Sequence, residues 1–287
     1  MSPRSVPKTL GAPFLVYAGE TPVPLWWRTG DGEVAAASLA APGRTDVNED
    51  AFAVFPLAGA LVLVVVDGVG GSSEAAEAAR ILLEELANSL TPAEGDAAEN
   101  LEGGPDSLRG RILDALERAN ARLLSEYRDA AAVVAIAVVA SGRMRTIHVG
   151  DAAVLLCGQR GKLKYQTTAH SPVGFALEAG WIGEREALAH EDRHLISNAV
   201  GSRDMRIEIG PWISMALRDR VLLASDGLLD NLSLDETIEG CRCGPMGKAA
   251  RHLVEWGRRR MERPTEGKPS KPDDLTLILY SQSSGRP

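Results

Sequence analysis

Cysteine is scarce, with Cys157, Cys241 and Cys243 the only three in 287 residues. An odd count in a long chain does not make a disulfide framework. The close pair in "GCRCGPMG" is a C-x-C with no second pair, so it reads as a loop beside a helix and not as a zinc site. Nor does any stretch reach the about 18 uninterrupted apolar residues of a membrane span. Prolines break the apolar run of the opening "MSPRSVPKTLGAPFLVYAGE", unlike a secretory leader. Net positive charge is missing too: the balance is −8, which excludes the basic surface field that non-specific binding to nucleic acid or anionic lipid requires. The chain is therefore expected to be cytoplasmic, with no nucleic acid and no membrane among its partners. Two phosphate-binding signatures also fail on residues: "GVGGSS" has no lysine after its last glycine, and a G-x-G-x-x-G starting at Gly68 would need glycine where Ser73 stands. There is no internal repeat.

What is present is ordinary for a globular chain, 45% apolar and 24% charged. Residues 1–32 carry five of the 16 prolines and the "LWW" of Leu25 to Trp27, and read as an irregular arm. Strands are expected at Glu33–Ala40, Ala51–Pro56 and Leu61–Asp67; the last has no polar alternation and should be buried on both faces. A helix follows from Ser72 or Ser73, with Ala75, Ala79, Leu82, Leu83 and Leu86 as its apolar stripe. After a loop, "TPAEGDAAENLEGGPDS", a second amphipathic helix runs over Leu108–Tyr127. Strands at Ala131–Ala140, Met144–His148, Ala152–Cys157 and Leu163–Gln166 form a meander. Residues 168–205 read as loop and short helices. Strands at Arg206–Leu217 and Arg220–Ala224, a helix over Lys248–Arg260 and a last strand, Leu275–Ser281, complete the pattern. Hairpin-joined strands interrupted by paired helices predict an α+β fold, two packed antiparallel sheets with helices outside.

Chemistry is suggested by acids at strand ends. Asp67 leaves an apolar strand into "DGVGG", and "VLLASDGLLD" repeats the device with Asp226 and, one helical turn on, Asp230. "KPDDLTLILY" places Asp273 and Asp274 before a strand, and "GRTDVNEDAFAVF" places Glu49 and Asp50 before another. One Asp-Gly after a strand is usually only a turn; four such places are a pattern. If the strand ends meet, two carboxylates about 4 Å apart repel by about 4 kcal/mol at an effective dielectric of 20. The neighbouring sequence has few lysines and arginines, so hard divalent ions with oxygen ligands, Mg²⁺ or Mn²⁺, are the expected solution, with Asp67 between two of them. The glycines after it are expected to let metal and water come close.

The order of these elements resembles the metal-dependent serine/threonine protein phosphatases of type 2C, the PPM family, in its bacterial form. The resemblance covers about Glu33 to Tyr280. It rests on Arg44 with "NED", on "DGVGG" at Asp67, "GDAAV" at Asp151, "SNAVGS" at Ser197–Ser202, "SDGLLD" at Ser225–Asp230 and "DDLT" from Asp273. The stretch from His170 to Gly201 is similar to the flap that lies over the site in that family. The resemblance implies a four-layer α/β/β/α sandwich with a single catalytic domain, residues 33–281, a flap at about 168–205 and a C-terminal tail, 282–287. It implies that Asp67 bridges two metals, with Asp226 and Asp273 on one and Glu49 and the carbonyl of Gly68 on the other. Asp50 would orient the attacking water, Arg44 would hold the phosphoryl group, and Asp151 and Asp230 match positions of a third metal.

The activity implied is hydrolysis of phosphoserine and phosphothreonine by direct attack of a water activated by two divalent metals, on a protein phosphorylated by a serine/threonine kinase. A phosphoenzyme is not required: Cys157 lacks the arginine of a C-x₅-R element, since Leu163 stands there, and Asp67 lacks a second aspartate two residues on, since Val69 stands there. Val69 replaces a histidine that many eukaryotic members use as proton donor, so water is expected to serve. Arg44 lies five residues before Glu49 where the family pattern has four, and "GDAA" lacks the family's arginine. The alternatives are a pseudophosphatase serving as a phosphoprotein-binding module, and a hydrolase of small phosphoesters. A monomer is expected. His148 and His252 are expected to be packed or surface residues, His170 and His190 structural parts of the flap, and "GRRRMER" a solvated helix end.

Overall fold

The computed structural model describes residues 8–21, 23–44, 47–70, 73–91, 104–242 and 244–283, with the side chains of 104–106 excepted. Its strands are β1 (Lys8–Thr9), β2 (Phe14–Tyr17), β3 (Leu25–Thr29), β4 (Gly32–Leu39), β5 (Ala51–Leu57), β6 (Ala60–Val69), β7 (Ala131–Ala140), β8 (Arg143–Val149), β9 (Ala153–Cys157), β10 (Leu163–Gln166), β11 (Glu208–Ile209), β12 (Ile213–Ser214), β13 (Arg220–Ala224) and β14 (Leu275–Gln282). They form two sheets. One has the order β1-β3-β4-β14-β13-β9-β10; the other runs β11-β8-β7-β6-β5-β2, with β12 also on β8. Every described pairing is antiparallel except the two-residue β1 on β3.

The apolar run in β6 shows how the layers arise. Leu61, Leu63 and Val65 face the other sheet, whereas Val62, Val64 and Val66 face helices α1 (Ser73–Leu90) and α2 (Gly104–Glu126). Both sets of side chains are buried, and each fully buried Val or Leu contributes about 1.5–3 kcal/mol. In β13 the same alternation sends Val221 and Leu223 to the inter-sheet core and Leu222 and Ala224 toward the outer helices. Between those two strands in sequence lie α3 (Pro172–Glu178) and α4 (Glu184–Ala189); α5 (Asp226–Leu229), α6 (Leu234–Arg242) and α7 (Met246–Glu262) follow β13. Three apolar layers therefore separate four layers of structure, helices, sheet, sheet, helices, as expected.

Four differences have physical reasons. The supposed irregular arm contributes β2 to β5 and β3 to β4, because its prolines Pro13 and Pro24 stand just before these strands and remove no ladder N–H from them. The strand expected over Arg206–Leu217 is only β11 and β12, broken at Gly210-Pro211, where proline has no N–H for a ladder. Cys241 lies in α6, inside a helix and not in the loop expected for it. Asp67 and Gly68 are still within β6, paired with Val133 and Ala132. Cys243, Gly71, Ser72 and most of the loop before α2 fall outside the described residues.

Candidate metal centre

Antiparallel register gathers the acids. Ala51 pairs with Val66 and Val66 with Val134, which in turn pairs with Val149, so Glu49-Asp50, Asp67 and Gly150-Asp151 emerge at one end of one sheet. In the other sheet Ala224 pairs with Leu277, which sets Asp226 beside Asp273-Asp274. The sheets are stapled at this end by buried Asp274, whose carboxylate accepts from Glu49 N–H at 2.7 Å and Ala41 N–H at 2.8 Å. A second staple is Ser225, whose hydroxyl donates to Asp50 Oδ2 at 2.7 Å and accepts from Thr276 N–H at 2.9 Å. Asp226 and Asp230 sit at the two ends of the single turn α5, joined by Asp230 N–H to the Asp226 carbonyl at 2.7 Å.

The two Asp-Gly glycines answer to backbone packing first. A Cβ on Gly68 would sit 2.4 Å from the Ala75 carbonyl oxygen of α1, and one on Gly227 would sit 1.8 Å from the Asp274 carbonyl oxygen. Gly68 and Gly227 let neighbouring chain segments close over the acids. Gly70, by contrast, has open space where a Cβ would stand.

Burial and mutual repulsion define the electrostatics. Burial pushes the Asp67 carboxyl well above its ordinary range, and Asp50, Asp226, Asp151 and Asp273 push it further. Asp50 is also raised well above its ordinary value, by burial and then by Asp274, against the pull of its Ser225 hydrogen bond. Asp226 rises to about 7, through burial and Asp273, and Asp151 to about 6, through burial and Asp230. Neither Asp67 nor Asp151 has an ion-pair partner among the described residues. Asp50 Oδ1 is buried without a hydrogen-bond partner. An all-oxygen donor set with this much uncompensated negative charge fits hard divalent cations.

Protein cations do reach the rim, contrary to the expectation that few would be near. Lys271 Nζ lies 2.6 Å from Asp226 Oδ2, 3.0 Å from Asp273 Oδ2 and 3.2 Å from Asp230 Oδ2. Burial alone would lower the Lys271 pKa, but these carboxylates raise it overall. Sequence reasoning missed this residue, because "PSKPDD" reads as a loop. Arg44 pairs with Glu49, and its second arm lies 3.2 Å from Asp274 Oδ2. The extra residue between Arg44 and Glu49 is thus accommodated with the two side chains in contact.

Residues 168–205 carry α3, α4 and a 3₁₀ turn, Glu191–His194, and flank a cavity of about 190 Å³ whose walls include Asp151, Asp226, Asp230 and Arg193. Arg193 approaches Asp230 to 4.0 Å and donates to the Ser270 carbonyl at 3.3 Å. At the base of this segment, His148, His170 and Glu208 bring three possible ligand atoms within 4.8 Å of one another. Here most of the ring nitrogens are paired, and only His148 Nδ1 is buried without a hydrogen-bond partner. Gly150 N–H donates to His170 Nδ1 at 3.0 Å, so His170 Nε2 carries the proton and donates to Glu208 at 3.1 Å. His148 donates from Nε2 to the Thr168 carbonyl at 3.0 Å, and burial lowers its pKa. The two rings stack, centroids 4.4 Å apart.

Comparison with known proteins agrees with this layout. The family profile described as protein phosphatase 2C matches residues 43–256. The serine/threonine protein phosphatase PstP of Mycobacterium tuberculosis is 26% identical over 232 residues, 77% of this chain and 40% of that protein, so the chain spans less than half of its length. A serine/threonine phosphatase structure from S. agalactiae superposes with a TM-score of 0.73 at 18% identity, covering 88% of this chain and 100% of that one. The catalytic domain of PstP in complex with two manganese ions gives 0.66 at 24% identity, covering 88% and 99%. These superpositions establish a shared fold.

Proposed function

The chain belongs to the protein phosphatase 2C family, and from that premise we propose that it hydrolyses phosphoserine and phosphothreonine in proteins with two divalent ions, Mg²⁺ or Mn²⁺. The observation that carries the proposal is the Asp67 carboxylate, surrounded by Asp50, Asp226, Asp151 and Asp273 with no ion pair of its own among the described residues. Asp67 would be shared by both ions, with Asp226 and Asp273 on one and Glu49 and the Gly68 carbonyl on the other. Asp151 and Asp230 would hold a third. When bound, the ions supply the charge that neutralises phosphoryl oxygens and lowers the pKa of the attacking water.

The chain's own residues position the rest. Asp50, fixed by Ser225, orients the water. Arg44 stands at the rim, where its guanidinium can exchange a carboxylate oxygen for a phosphoryl oxygen. Val69 cannot give a proton to the leaving oxygen, so that proton comes from solvent. The acids at the common end of the two sheets support this reading, and nothing favours the binding-module alternative. We read residues 33–281 as one catalytic domain, to whose sheets the strands before it are added. We also read the protein as a cytoplasmic monomer whose substrate is the product of a serine/threonine kinase. No helix among the described residues is long and apolar enough to cross a membrane. Phosphate release from a phosphothreonine peptide should require Mn²⁺ and stop in EDTA; turnover without metal would overturn the assignment.

A further inference from the structure

Lys271 has no part in the pattern of acids, yet its ammonium draws three of them together. Its Nζ lies within 3.2 Å of carboxylate oxygens from Asp226, Asp230 and Asp273. This is a built arrangement. Lys271 N–H donates to Asn231 Oδ1 at 2.8 Å, and Asn231 Nδ2 donates to the Lys271 carbonyl at 2.7 Å and to the Gly227 carbonyl at 2.9 Å. One fully buried amide therefore fixes the backbone on both sides of the lysine and ties it to the turn that carries Asp226. The side chain has only its stem to swing on.

Asp226 and Asp273 are the carboxylates assigned above to one divalent ion, and Asp230 belongs to its neighbour. An ammonium and a divalent ion cannot share the same oxygens, because both would be held at contact distance from each other. We propose that Lys271 is the internal counter-ion of Asp226, Asp230 and Asp273: it holds them in the metal-free protein and competes with a divalent ion for them, setting metal affinity in this half of the centre. The inference rests on reading the crevice as a divalent-metal centre. Metal entry displaces the ammonium by rotation of its stem, and apparent affinity falls by the fraction of protein in which the lysine is already in place.

The test is direct Mn²⁺ titration of EDTA-stripped protein by calorimetry, which does not depend on turnover. Lys271→Gln should bind one Mn²⁺ at least about tenfold more tightly than wild type and melt lower without metal, whereas Lys271→Arg should stay near wild type. Unchanged or weaker binding in Lys271→Gln overturns the proposal. Wild-type protein gives a second readout should that variant fail to fold: acylation of Lys271, followed by peptide mass spectrometry, should rise saturably with Mn²⁺. Labelling that Mn²⁺ leaves unchanged or suppresses overturns it as well. Absence of Mn²⁺ binding in wild type and variants alike would instead remove the metal centre, and this inference with it.

Discussion

Two clusters in this molecule bring several possible metal ligands together, and they differ in what they leave unsatisfied. Around His148, His170 and Glu208 each ring nitrogen that donates has a carbonyl or carboxylate to receive it, and Gly150 N–H fixes the His170 tautomer. Around Asp67, carboxylates raise one another's pKa, and Asp67 and Asp151 have no cation paired with them among the described residues. Closeness of donor atoms alone would favour the histidine cluster, whose three possible ligand atoms lie within 4.8 Å of one another. The electrostatics separate them: His170 is held by Gly150 N–H and Glu208 and pins the flap segment to the Gly150-Asp151 turn, with only His148 Nδ1 left buried and unpartnered, while Asp67 and Asp151 carry crowded charge that Lys271 and Arg44 do not pair.

The contrast is sharpest at Asp67. Asp67→Asn should cut Mn²⁺-dependent kcat about 10³-fold or more, yet raise the melting temperature in EDTA, since one of several crowded charges is gone. A lower melting temperature in EDTA would erase the difference between the clusters. A pH series comes next in size. In metal-free protein the folded-state pKa values of Asp226, about 7, and Asp151, about 6, lie above the ordinary carboxylate value. Their contribution to stability is therefore full below about pH 4 and lost as pH rises through about 6 and about 7. Mn²⁺ binds the ionised forms, so the melting shift it causes should be about 5 °C or more larger at about pH 8 than at about pH 5. A shift independent of pH would contradict the crowding. The smallest effect belongs to the histidines: His170→Gln should cost about 1 kcal/mol, a drop of about 2 to 4 °C, with unchanged Mn²⁺ stoichiometry. A lost Mn²⁺ equivalent in the calorimeter would show that this cluster, too, holds an ion.

The acids were legible because each breaks an apolar run at a strand end, a signal carried by neighbouring residues alone. The α1 stripe was legible for the same reason, its period being local. Lys271 was not, because its place depends on Asn231, forty residues earlier in the chain, gripping its backbone. Strands β2 and β3 were hidden by the prolines just before each of them, and Arg206–Leu217 looked continuous because composition does not weigh the one missing N–H at Pro211. Arg44 was found, but its contact with Glu49 came only from the fold.

Gly68 and Gly227 carry a last consequence. Each is required by a carbonyl that presses on it, Ala75 in one case and Asp274 in the other. A relative that had lost the acids would still keep both glycines, or its helix and strand could not close. Inactive members of this family are therefore to be diagnosed by the aspartates alone, and a surviving Asp-Gly glycine testifies to architecture and not to turnover.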